Sequence, residues 1–278
     1  MWKVDKPQRT ARWTYTHCIA TIGDAALKAR LELIEDDVAD ASDEFQAAAI
    51  TTTLHTIQPA DHVGSVTRKE LADLYTNRFA KAKSRGRVIY DELMTAPANA
   101  RCPLCGHRQV STLDHHLPKS QYPALAVAPL NLIPACLDCN KAKLERVPHS
   151  SAEETLHPYF DDVEDDEWLQ AAVIQGDPAA LVFYPVPPAA WGGVMAARVI
   201  DHFGVFGLAR LYGAQAADEL QNIRFYLRKL LLDAGPAGVR AHLNVVAQSC
   251  EQASINSWRT AMYKAVAASD WFVAGGFA

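Results

Sequence analysis

Nowhere does this 278-residue chain carry an unbroken apolar run of about 18 residues, the length a helix needs to cross a bilayer. Its opening, Met1-Trp-Lys-Val-Asp-Lys-Pro, lacks the apolar core of a secretory signal, so the expectation is a cytoplasmic protein with no membrane partner. There is no Gly-x-x-x-x-Gly-Lys-Ser/Thr loop, and any P-loop ATP hydrolysis would have to come from a separate polypeptide. Internal repeats, low-complexity tracts and helix-turn-helix or finger-type readers are missing too. Excess positive charge is also lacking: 27 Lys and Arg stand against 32 Asp and Glu, a net charge of −5. Tight unaided binding to DNA usually needs a basic protein, because counterion release by Lys and Arg supplies most non-specific affinity. Cysteines number only six, and four are grouped by spacing, which fits a reducing compartment where thiols hold metal instead of forming disulfides.

What the chain does have lies between Cys102 and Lys143. Cys102-Pro-Leu-Cys105 and Cys136-Leu-Asp-Cys139 are two Cys-x-x-Cys knuckles, each able to aim two sulfurs at one tetrahedral ion. Together they supply the four thiolates of a closed structural zinc site. The intervening stretch is longer than the roughly 15–20 residues of a plain four-cysteine ribbon. It contains Leu113-Asp114-His115-His116-Leu117-Pro118 and Asn131, and Asn140 follows the last knuckle directly. A ribbon with incidental polar loop residues is the bland alternative. A redox motif would need neither the second knuckle nor the adjacent Asp-His.

In this order the elements resemble the HNH, or ββα-metal, nuclease family. Leu113 to Ser120 is similar to that family's first strand, Asn131-Leu-Ile-Pro134 to its middle loop, and Cys136-Leu-Asp-Cys-Asn-Lys-Ala-Lys143 to the start of its helix. The likeness spans roughly residues 100–147. It implies His115 as the general base, Asp114 and Asn140 as ligands of a catalytic divalent cation, and Asn131 as the brace of the loop that orients the base. His116 falls where the family usually has Ile or Val, leaving filler or a substrate-facing contact both open.

The chemistry can also be argued from the residues. Phosphodiester hydrolysis needs a deprotonated water in line with the scissile bond and neutralisation of the charge that builds on the phosphate oxygens. A neutral imidazole serves the first need near neutral pH. Hard Asp and Asn oxygens favour Mg²⁺ or Mn²⁺, whereas the thiolates favour zinc, so ligand softness sorts the two metals. Lys119, Lys141 and Lys143 flank the motif as candidate phosphate contacts. Arg78, Lys81, Lys83, Arg85 and Arg87 form a run without an acidic residue, read either as a DNA-backbone or partner contact or as a solvated helix face.

The expected fold is mainly α with a small central ββα-metal zinc module, an α+β class. Its expected divisions are a helical region 1–99, the HNH module 100–150, and a mainly helical domain 151–278. The absence of Pro and Gly from Asp24 to Gln58 predicts one long or two abutting helices. Thr67-Arg-Lys-Glu70 reads as a capping box opening a helix to about Met94, with Gly86 as a possible break. Glu153 to Glu167 holds eight acidic residues and no basic one, expected as a linker or protein-docking surface. Leu181-Val-Phe-Tyr184 is a strand candidate. Helices are expected near 195–212, 214–232, 236–253 and 257–269, and the apolar tail from Trp271 is either tucked in or offered to a partner.

The functional expectation is a metal-dependent DNA endonuclease. The arrangement of helices around such a module resembles HNH effector subunits of bacterial anti-phage defence systems that act beside an ATPase, which implies a separate ATPase partner. The alternatives are a non-catalytic zinc-stabilised scaffold or nucleic-acid-binding module, and a restriction or mobile-element HNH nuclease.

Overall fold

A computed structural model describes residues 2–277, in two compact units that divide between Asp162 and Val163. In the first unit, Thr10 accepts a hydrogen bond from the Trp13 amide and opens α1 (Ala11–Ile19). Asp24 caps α2 (Ala25–Glu32) by accepting from the Ala26 and Leu27 amides, satisfying donors that have no partner inside the helix. α3 (Glu35–Thr51) begins with Glu35, Asp36 and Asp37, which suit the positive end of a helix dipole, and ends at Thr52 in a left-handed conformation. The proline-free stretch is thus two abutting helices. A short antiparallel pair, β1 (His62–Val63) and β2 (Val66–Thr67), leads into α4 (Arg68–Leu74), whose Thr67–Glu70 capping box forms as expected.

That helix does not reach Met94. It widens into a π turn over Tyr75–Phe79, stops, and restarts as α5 (Arg87–Thr95). Gly86 explains the stop: a Cβ there would lie 2.6 Å from the Arg78 carbonyl oxygen, so the chain can fold back on itself only at glycine.

β3 (Thr112–His115) and β4 (Leu132–Ala135) pair antiparallel, Asp114 opposite Ile133 and His115 opposite Leu132, and α6 (Leu137–Lys143) follows. These elements are not a separate core. Leu113 and Leu132 are buried in one apolar cluster with Tyr15, Leu31, Leu71 and Phe79, and Leu117 and Leu125 in another with Phe45 and Leu54. Burying such side chains contributes roughly 1.5–3 kcal/mol each, so the expected divisions at 99/100 and 150/151 do not coincide with the packing.

In the second unit, β5 (Leu169–Ile174), for which the sequence carried no signal we read, pairs with β6 (Ala180–Pro185), the expected strand. Helix α7 (Gly193–Val205) ends two residues before Gly207, which takes the left-handed conformation that starts α8 (Leu208–Ala253). The break expected near Gly213 therefore falls at Gly207. α8 kinks at Gly235-Pro236, and α9 (Trp258–Ala268) follows, capped by Ser257. Phe272, Val273 and Phe277 are buried, so the tail is tucked in.

Of the acidic stretch, Asp162, Glu164, Asp165, Asp166 and Glu167 are exposed, as a surface run would have them, while Glu154 and Asp161 are built into the fold. In the first unit Glu154 is buried against the His55 ring at 2.6 Å, and an Asp161 carboxylate oxygen accepts from the His157 amide. In the second, buried Asn256 accepts from the Trp168 and Leu169 amides and donates to the Val163 and Asp166 carbonyls. No helix among the described residues is long and apolar enough to cross a membrane.

Candidate metal centre and adjacent cleft

The four knuckle cysteines meet. Gly106 turns the first knuckle in a left-handed conformation, with its amide on the Cys102 carbonyl at 2.8 Å, and a Cβ there would sit 3.1 Å from Trp2 Nε1. Cys136 caps α6, so the start of that helix sets the second knuckle. The Sγ atoms of Cys102, Cys105, Cys136 and Cys139 all lie within 4.8 Å of one another and are buried. A tetrahedral zinc with bonds of about 2.3 Å spaces its sulfurs by roughly 3.8 Å, within that limit. The Arg108 amide donates to Cys105 Sγ and the Cys139 amide to Cys136 Sγ, both at 3.4 Å, an arrangement that favours thiolate. Metal binding at such a cluster requires the sulfurs as thiolates and so releases their protons. The cluster can hold a zinc ion.

Beside it a cleft of about 340 Å³ is lined by Asp114, His115 and Asn140, with Tyr75, Lys119, Lys141 and Glu145 around them. Strand β3 presents the first two and the first turn of α6 the third. His115 Nε2 lies 2.9 Å from the Ala126 carbonyl oxygen. A carbonyl only accepts, so Nε2 carries the proton and Nδ1 is left with a free lone pair. Burial first, then the charges of Lys119 and Lys143, push the imidazole down to about 3, which keeps it neutral.

Asp114 is buried, and burial pushes its carboxyl up to about 6 against the opposing pull of Lys143. Lys143 Nζ stands 3.3 Å from Asp114 Oδ2, but that approach is not aligned as a hydrogen bond and the oxygen has no donor. The Asp114 oxygen thus faces the Lys143 ammonium with no hydrogen-bond donor, and Asn140 lines the same cleft; these are oxygen donors of the hard kind.

Asn131 is fully buried and does not line the cleft. Its Oδ1 accepts from the Leu117 amide at 2.7 Å, and its Nδ2 donates to the Leu117 and Leu125 carbonyls. Its own carbonyl accepts from the His116 amide at 2.8 Å. The side chain therefore closes the loop between the strands. His116 is buried with its ring 4.5 Å from that of His157 and close to Phe45, a packing role.

Two groups of basic residues separate on inspection. Lys119 and Lys141 line the cleft, but Lys143 is buried, ion-paired to Asp114 and donating to the His115 carbonyl at 2.8 Å, so it is not available to a phosphate. Lys81, Lys83 and Arg85 are exposed, whereas Arg78 bonds the Thr21 carbonyl and Arg87 pairs with Asp91. Tyr75 was missed because its spacing after Leu71 and Leu74 reads as an apolar helix face, and only the π turn aims it at His115.

No protein-family model and no solved structure matches the chain. A curated relative, protein ea31 of Escherichia phage lambda, is 31% identical over 176 residues that cover 61% of this chain and 58% of that protein. The chain thus spans less than two thirds of the length of the relative to which it is similar.

Proposed function

We propose that this chain is a metal-dependent endonuclease of the HNH type that hydrolyses DNA phosphodiester bonds. The observation that carries the reading is the convergence of Asp114, His115 and Asn140 on one cleft, with the base nitrogen of His115 left free by the Ala126 bond. The succession of two antiparallel strands and a helix, pinned to a four-cysteine cluster, supports the ββα-metal assignment.

The roles follow from the geometry. Neutral His115 would take a proton at Nδ1 from the attacking water, a step that needs its proton affinity, held down to about 3 by burial and by Lys119 and Lys143, to rise as phosphate charge offsets those two lysines. Asp114 and Asn140 would hold Mg²⁺ or Mn²⁺, which when bound supplies acidification of water and neutralisation of phosphate charge. Asn131 fixes the loop from which His115 receives its Ala126 partner. Lys119 and Lys141 offer charge to the phosphates on either side of the scissile bond. The net charge of −5 favours a setting in which another subunit brings or licenses the substrate, and the resemblance to effectors of bacterial anti-phage defence systems makes a separate ATPase the candidate. The phage origin of the 31%-identical relative favours a second setting, a mobile-element nuclease with the same chemistry.

The test is cleavage of supercoiled plasmid by wild type, Asp114→Ala and Asn140→Ala across a Mg²⁺ and Mn²⁺ titration. Metal-dependent cutting lost in Asp114→Ala and shifted to higher metal concentration in Asn140→Ala is the expected result. Metal-independent cutting, or equal activity in all three, would refute the assignment.

A further inference from the structure

His115 is held by more than its own module. The ring of Tyr75, from the π turn that follows α4, meets the imidazole edge-on with centroids 4.5 Å apart and planes at 66°. Tyr75 is itself fixed, stacked on Phe79 at 5.5 Å, and Phe79 is fully buried. On the cleft side the Lys119 ammonium lies 5.3 Å from the Tyr75 ring centroid. The helix bearing Tyr75 is tied to the loop between the strands, because Arg68 donates to the Ser120 carbonyl at 2.8 Å. A helix that widens by one residue at a single turn re-aims a side chain, and such π turns recur at functional sites.

The Ala126 carbonyl constrains only Nε2. Rotation of the imidazole about that bond would swing Nδ1 away from the cleft, and the Tyr75 ring occupies one flank of the space this motion needs. We infer that Tyr75 is a positioning residue for His115, contributed from outside the HNH-like segment, which makes the base dependent on the N-terminal helices. The inference rests on the endonuclease reading for its kinetic consequence, but the restraint itself is a property of the fold.

The experiment compares wild type with Tyr75→Phe, Tyr75→Leu and Tyr75→Met in the zinc-loaded full chain. One readout is the ¹⁵N spectrum of histidine-labelled protein, with the His115 signals assigned by their loss in His115→Gln. The other is plasmid cleavage with Mg²⁺, separated into kcat and KM. Wild type and Tyr75→Phe should show one Nε2-protonated tautomer for His115 and cleavage within about twofold of each other. Tyr75→Leu and Tyr75→Met should show averaged tautomer signals and a kcat lower by about 10- to 100-fold, with KM nearly unchanged, as misorientation of a reacting group produces. Methionine fills much of the lost volume, so a fold defect in the leucine variant leaves the test intact. A single tautomer and wild-type kcat in both variants would overturn the inference. If wild type itself does not cut, the kinetic comparison drops out, and the tautomer spectra alone decide whether Tyr75 fixes the ring.

Discussion

The Asp114–Lys143 pair allows a sharp test, because two buried charges 3.3 Å apart should be strongly coupled. At an effective dielectric of about 20, their attraction is about 5 kcal/mol, set against several kcal/mol of desolvation per ion. The pair as a whole is therefore close to neutral for stability, while breaking it is costly. Lys143→Met should destabilise the first unit by about 3–5 kcal/mol by leaving a buried carboxylate without its cation. Asp114→Asn should cost a similar amount by stranding the ammonium. Lys143→Met combined with Asp114→Asn should cost far less than the two together, a coupling of at least about 2 kcal/mol. Native-state hydrogen exchange on peptides spanning residues 112–115 reads this directly, since about 1.4 kcal/mol is a tenfold change in exchange. The pH sign follows from the raised carboxyl. A folded-state value of about 6 against an ordinary 3.8 means that the folded chain holds the proton more tightly, so this group's contribution declines as pH rises from about 4 to 6. Without Lys143 the decline should extend above pH 6. Additive single variants, or a Lys143→Met protein with unchanged pH dependence, would refute the reasoning.

Other consequences can be checked alongside. Chelation should remove one zinc per chain, counted by metal analysis, and should expose amides across residues 101–109 and 136–143, since structural zinc in isolated small domains is worth on the order of 10 kcal/mol. Cys105→Ser should weaken zinc retention in the same assay. Asn131→Ala strands the Leu117 amide and carbonyl, at about 1–3 kcal/mol per unsatisfied group, while the Leu125 carbonyl keeps the Ala128 amide, and should speed exchange in residues 116–131 more than in α1. Lys119→Ala and Lys141→Ala should weaken oligonucleotide binding and flatten its salt dependence, whereas Lys143→Gln should act through stability instead.

Much of the candidate site was legible because its signals are local. Cys-x-x-Cys spacing, an Asp-His pair and an Asn after the second knuckle are fixed by a few bonds of chain, and the structure brings the cysteines together as their spacing implied. The capping box at Thr67 was equally readable, being a contact over three residues. What could not be read depends on contacts distant in sequence. Lys143 looks like any flanking lysine until β3 places Asp114 against it, and Tyr75 looks like core until the π turn changes its direction. Gly86 was readable as a helix break and is one, whereas Gly207 breaks a helix through left-handed backbone, a feature that composition alone does not rank against Gly213. Strand β5 lies beside an acidic run that hid its apolar character.

The central claim is that His115 is the base of a phosphodiester-cleaving site. Its most direct test is single-turnover cleavage of supercoiled plasmid with Mg²⁺ by wild type and His115→Ala, after both have been shown to bind equal zinc and exchange amides alike. The account predicts cutting by wild type and a loss of at least about a hundredfold in the variant. Undiminished cutting by a folded, zinc-loaded His115→Ala protein would contradict it.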